Sequence, residues 1–144
     1  MRDQRWDGSG IWIPLVTPMQ AGVVDHAALG RLVRHLAAQG VAGFVACGST
    51  GEAAMLTDAE QAAVLATTLA AADARPVLMG LAGVDATAIA RRAQALAAQH
   101  PPAGWLLAPP AYVKPTQAGI AQHFHTVASA TPLPLVAYDI PART

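Results

Sequence analysis

At 144 residues, 53% hydrophobic and 12% charged, the chain carries enough apolar side chain to offset the entropy of ordering, which argues against disorder and fits one compact domain or part of a larger one. Nine basic residues balance nine acidic ones, so no basic stripe recruits nucleic acid or an anionic membrane. No run approaches the roughly 18 unbroken apolar residues of a membrane span, and a lone cysteine, Cys47, excludes an internal disulfide framework and fits a reducing cytoplasm.

The first ten residues are charged and lead into no signal-type apolar core. From there one unit repeats: a short apolar run, a small or polar turn, then an Ala-rich amphipathic stretch. The first run is Ile11–Val16, followed by Thr17-Pro18-Met19. Asp25 predicts a helix cap, with Leu29, Leu32, Val33 and Leu36 along one helical stripe and Gly40 as the stop. The second run, Gly43–Cys47, leads into Gly48-Ser49-Thr50-Gly51-Glu52. Thr57-Asp58-Ala59-Glu60 is a capping-box pattern for a second helix. Pro76–Leu81 is the third run, and Asp85 opens a helix ending near His100 before Pro101-Pro102. Gly104–Ala108 precedes the Pro-stiffened loop Pro109-Pro110-Ala111-Tyr112-Val113-Lys114-Pro115. Thr116 predicts the cap of a fourth helix, with Ile120, Phe124 and Val127 inward. Pro134–Tyr138 is the last run.

Runs this short, apolar throughout and bounded by Gly or Pro, read as buried strands of a parallel sheet covered on its faces. The alternating α/β order admits an open doubly wound sheet or a stretch of a (β/α)₈ barrel. Length favours the open sheet. Against it, no glycine-rich phosphate fingerprint follows the first run, and polar candidates follow several different runs, as on a barrel rim.

The turn after the second run is the strongest site candidate. Two glycines let the backbone bend so that amides and two hydroxyls, from Ser49 and Thr50, converge as a nest for a carboxylate; the alternative is an ordinary strand–helix turn. Tyr138 at the end of the last run can relay protons if hydroxyls polarise it, and Arg143 can hold a carboxylate bidentately. The alternative is a tyrosine packing its ring at the sheet end and an arginine in solvent. Tyr112 is a loop aromatic, and Lys114, the only lysine, sits in a polar loop that favours a solvated ammonium over a nucleophile. His123 and His125 lie two apart on a helix and face different directions, which argues against a shared metal. Cys47, Trp12 and Trp105 read as packing residues.

Taken together, Ile11 to Pro18, Gly48 to Glu52, Tyr112 to Gln117 and Tyr138 to Thr144 resemble the dihydrodipicolinate synthase/N-acetylneuraminate lyase family of class I aldolases. The resemblance implies an α/β fold, a (β/α)₈ TIM barrel of which residues 1–144 cover strands 1–5 and helices 1–4 as the N-terminal part of one domain, residues 1–10 being a flexible lead-in. It implies a cytoplasmic lyase of lysine and diaminopimelate biosynthesis, condensing pyruvate with aspartate semialdehyde through a Schiff base without metal or cofactor, as a homo-oligomer. By resemblance Tyr138 is the general acid/base, Ser49 joins its hydroxyl relay, and Tyr112 completes the relay of a neighbouring subunit. Thr50 and Gly48 bind the pyruvate carboxylate, and Arg143 receives the second substrate. The Arg-Thr ending favours the synthase subgroup. The family's Schiff-base lysine lies on a sixth strand past Thr144, so the chain alone is expected to be inactive. Ala111 stands where synthases often have a second tyrosine. Asp58, Gln61, Asp85 and Ile89 stand where lysine-inhibited members carry His, Asn and Glu, so feedback inhibition is not implied in that form. Other readings are a 2-keto-3-deoxy sugar acid aldolase or dehydratase, a neuraminate lyase-like enzyme, or a non-catalytic half-barrel that binds a small anion or a partner.

Overall fold

A computed structural model of the chain describes residues 8–142. Its elements run β1 (Trp12–Pro14), β2 (Met19–Gln20), β3 (Val23–Val24), α1 (His26–Ala38), β4 (Gly43–Ala46), α2 (Asp58–Ala71), β5 (Val77–Leu81), α3 (Ala86–Gln99), β6 (Gly104–Leu107), α4 (Gln117–Ala128) and β7 (Leu135–Ala137). Single 3₁₀ turns at Ser49–Gly51 and Ala53–Met55 lie between β4 and α2.

Each predicted helix forms where its capping chemistry starts it. The Asp25 carboxylate accepts from the Ala28 amide, Asp85 accepts from Thr87 and Ala88, and Thr116 accepts from Gly119. Thr57 and Glu60 close a full capping box, and the two bonds from Thr57 hold the Glu60 carboxyl below its ordinary pKa. Such caps satisfy amides that the first helical turn leaves without partners. Gly40, at φ +82°, stops α1 in the left-handed conformation.

β1, β4, β5, β6 and β7 form one parallel sheet in chain order. A doubly wound sheet reverses its strand order at a switch point and covers both faces with helices; this sheet does neither. Phe44, Ala46, Val77, Met79, Leu81, Trp105 and Leu107 join Leu29 and Val33 of α1, Val64 and Leu65 of α2, Ile89 and Ala93 of α3 and Val127 of α4 in one buried cluster. Because side chains alternate across a strand, those residues share a face, and all four helices cover it. Val45, Leu78 and Leu106 fall on the opposite face. Consecutive order with helices on a single face is the build of part of a (β/α)₈ barrel.

Trp105 and Phe44 are the largest fully buried side chains, each contributing roughly 2–3 kcal/mol by removal from water. The Trp105 indole donates to Thr131 Oγ1 at 3.0 Å. Trp12 packs over Gly43, where a Cβ would overlap the indole ring. Trp12 and Trp105 therefore pack on the sheet, as their sequence context predicts.

The structure differs from expectation at the sheet's edges. Ile11 is 71% and Val16 50% exposed, so β1 is three residues long and only partly covered, as is β7. Full burial holds for the inner strands β4 and β5. Sequence periodicity also passes over the β2–β3 hairpin, whose Ala21-Gly22 turn has both residues at positive φ. Of the expected lead-in, residues 1–7 lie outside the described residues. Ser9 accepts a hydrogen bond from the Trp12 indole at 3.1 Å, and Gly10 lies against Ala42.

Candidate active site

The turn after β4 is built differently from its sequence rationale. Gly48 and Gly51 do not supply the bend; Cys47 at φ +53° and Glu52 at φ +54° flank it in the left-handed region. That conformation costs a non-glycine residue about 1 kcal/mol or more. Gly51 is needed for space instead, since a Cβ there would lie 2.9 Å from the Leu15 carbonyl oxygen. Gly80 on β5 serves the same end, because a Cβ on it would overlap the Cys47 carbonyl. The turn thus folds directly over β5.

That close approach leaves a cleft of about 110 Å³ lined by the Cys47–Ser49 segment, Ala53 and Ala54, the end of β5 from Gly80 to Ala82, Leu106, Ala108 and Tyr138. Ser49 and Tyr138, far apart in sequence, therefore share one space beyond the carboxyl ends of β4 and β7. Tyr138 is anchored there by its backbone amide, which donates to the Leu107 carbonyl at 2.8 Å. The walls are otherwise apolar and small, an environment in which hydrogen bonds to a bound polar ligand are strengthened.

Cys47 is buried and its Sγ lies 3.9 Å from the Gln61 carbonyl. Burial pushes its thiol up to about 12, with the Arg92 charge opposing only in part. A thiol so held stays protonated and is no nucleophile.

Of the other sequence candidates that the structure describes, one lines this cleft. Gly48 lines it; Thr50, on the same turn, is exposed and does not. Tyr112 is 94% exposed at φ +72° and also stands outside it; the role implied for it concerns a neighbouring copy. Lys114 is exposed on the same loop, away from the cleft lining. Arg143 lies outside the described residues.

Two residues that sequence reasoning missed hold the site in place. Thr17 is buried and its hydroxyl donates to the Gly51 carbonyl at 2.7 Å. Gln61, also buried, donates through Nε2 to the Ala53 carbonyl at 2.9 Å and the Leu56 carbonyl at 3.0 Å, while its Oε1 accepts from Arg92 of α3. The only sequence signal for either is a polar side chain among apolar neighbours.

The positions aligned by resemblance with a lysine regulatory site have structural work. Asp58 pairs with Arg92 at 3.2 Å, Gln61 braces the second turn, Asp85 caps α3, and Ile89 joins the core.

Comparison with known proteins agrees with this fold. The family model of the dihydrodipicolinate synthetase family matches residues 7–144. The 4-hydroxy-tetrahydrodipicolinate synthase of Magnetococcus marinus is 38% identical over 135 residues, covering 94% of this chain and 46% of that protein. Its counterpart in Stenotrophomonas maltophilia is 42% identical over 141 residues with the same coverage. The crystal structure of dihydrodipicolinate synthase from Thermotoga maritima superposes with a TM-score of 0.89 at 31% identity, over 94% of this chain and 46% of that one. The chain spans about half the length of the curated relatives it matches.

Proposed function

We propose a function from one premise: this chain belongs to the dihydrodipicolinate synthetase family. Its reading is the α-keto acid half of a pyruvate-dependent lyase site, of the 4-hydroxy-tetrahydrodipicolinate synthase type, that condenses pyruvate with aspartate semialdehyde in the cytoplasm. The observation that carries it is the shared cleft of Ser49 and Tyr138, whose small apolar walls leave room for a three-carbon acid.

In this reading the turn receives the pyruvate carboxylate, Gly48 and Ser49 from the cleft wall and Thr50 from the exposed side of the same turn. An amine attacks the keto carbon, and the carbinolamine hydroxyl must leave as water. Tyr138 donates the proton that makes it a leaving group, and a proton lost from the amine nitrogen returns to the phenolate through the Ser49 hydroxyl, which takes one proton as it gives another. Tyr112, exposed on its loop, reaches the relay of a second copy, making the assembly a homo-oligomer. Arg143 takes the carboxylate of the aldehyde. The amine belongs to a lysine that the family carries on a further strand. Lys114, the sole lysine here, is not placed to replace it, so the chain by itself binds the acid without converting it.

Titration of the isotope-labelled chain with pyruvate tests this reading. Amide resonances of Ser49, Thr50 and Tyr138 are expected to shift together, saturating in the millimolar range. Resonances that stay unmoved, or shifts spread over unrelated surfaces, overturn it.

A further inference from the structure

We propose that Thr17 is a positioning residue of this site: by holding the Gly51 carbonyl, its hydroxyl sets the turn that presents Ser49 and Thr50 to the acid. The ligand in this inference rests on the function proposed above; the strut itself rests on geometry.

A single 3₁₀ turn cannot fix its own place. Its internal bonds, from the Gly51 amide to the Gly48 carbonyl at 3.0 Å and from the Glu52 amide to the Ser49 carbonyl at 3.1 Å, are few and poorly aligned by nature. They define the turn's shape and leave its position relative to the sheet open. The left-handed residues on either side, Cys47 and Glu52, add strain that an outside contact must oppose.

Thr17 supplies that contact. It bonds Gly51 across 34 positions of sequence at 2.7 Å and is 6% exposed, so water does not compete for the carbonyl. Its own place is fixed from both directions. Upstream, the Leu15 amide donates to the Val45 carbonyl at 3.0 Å, tying the segment to β4. Downstream, Pro18 confines Thr17 to extended backbone, and the Pro18 carbonyl accepts from the Asp25 amide at 2.8 Å. The branched Cβ leaves the hydroxyl few rotamers. Gly51 then seats against Leu15 and Thr17, where any larger residue would collide. A path of short contacts runs from β4 through Leu15 and Thr17 back to the turn that β4 itself leads into.

Thr17→Val removes the hydroxyl at nearly constant volume, and Thr17→Ser keeps it. Amide hydrogen exchange and pyruvate titration are read on all three proteins. In the valine variant, exchange at Gly51 and Glu52 is expected to quicken about tenfold, the scale of one hydrogen bond, with Ala93 in the core unchanged. The pyruvate dissociation constant rises about tenfold and the serine variant stays within about twofold on both measures. Wild-type exchange at Gly51 and Glu52 in the valine variant overturns the proposal. So does faster exchange spread equally through Ala93, which marks general destabilisation. A wild-type chain that binds no pyruvate sinks the functional reading alone, because exchange still decides the role of Thr17. If the valine variant does not fold, the serine variant decides: protected Gly51 and Glu52 amides support the strut, and exposed ones overturn it.

Discussion

Gly80 lies so close to the Cys47 carbonyl that the pair admits no Cβ between them. The obstacle is backbone, which cannot swing aside as a flexible side chain can. Gly80→Ala is therefore expected to destabilise the fold by about 2–3 kcal/mol through overpacking. Gly48→Ala is the matched control: its φ of −78° suits any residue and a Cβ would meet Val45 at an ordinary 3.7 Å. It is expected to cost less than about 1 kcal/mol. Urea unfolding of both variants checks the contrast, and equal costs would remove the steric argument.

Gln61 is expected to matter for stability well beyond a surface amide. Replacement by leucine strands the Leu56 carbonyl, takes one of two donors from the Ala53 carbonyl, which keeps the Leu56 amide, and takes a partner from Arg92. A stranded buried carbonyl costs about 1–3 kcal/mol, so a loss of about 1–3 kcal/mol is expected. Thermal melts of Gln61→Leu beside wild type measure it.

His123 makes stability depend on pH. The ring is buried on α4 and neither nitrogen makes a well-formed hydrogen bond. Burial holds its pKa below the usual imidazole value, and the Ala108 backbone opposes this only in part. The unfolded chain then binds a proton that the folded chain refuses, so stability is fully present above the unfolded pKa and falls as pH drops through it. The window opens near pH 6.5 and extends downward. Urea midpoints of His123→Phe are expected to vary less between pH 7.5 and 5.5 than those of wild type. Identical slopes would relieve His123 of the role.

Cys47 provides a chemical check on the site's burial. With a thiol pushed up to about 12 and 3% exposed, it is expected to resist an aromatic disulfide reagent in the native state and to react fully in urea. Prompt native labelling would mean that the turn opens readily.

Borohydride reduction with pyruvate tests the missing amine. The 144-residue chain is expected to gain no pyruvate-sized mass, and Lys114→Arg is expected to leave pyruvate titration unchanged. An adduct mapped to Lys114 would overturn the placement of that residue outside the site.

The helix starts were readable because caps are local chemistry: Asp25, Thr57, Asp85 and Thr116 each act within three residues of themselves. The inner strands were readable because apolar runs bounded by Gly or Pro have few other uses. The β2–β3 hairpin escaped since two-residue strands have no period, and its turn carries Ala21 at φ +50° where Asn or Asp is the usual signal. At the site, the sequence pointed to Ser49 and Tyr138 through their positions after apolar runs. It could not show that Cys47 and Glu52 make the bend, or that Gly51 and Gly80 yield room, because those facts depend on which backbones meet. Thr17 and Gln61 escaped for the same reason: their partners lie 34 and eight positions away.

In a flat sheet, three interstrand steps would hold β4 and β7 about 14 Å apart, too far for one small acid to touch residues from both. Curvature closes that gap, so β5 and β6, which supply no reacting group, act as the caliper of the pocket. Gly104 on β6 belongs to that caliper, with the Pro134 carbonyl 2.7 Å and a Leu78 methyl 3.0 Å from where its Cβ would be. A methyl group added there would press β6 away from its neighbours at the amino end, disturbing the spacing between two hydroxyls that it never touches.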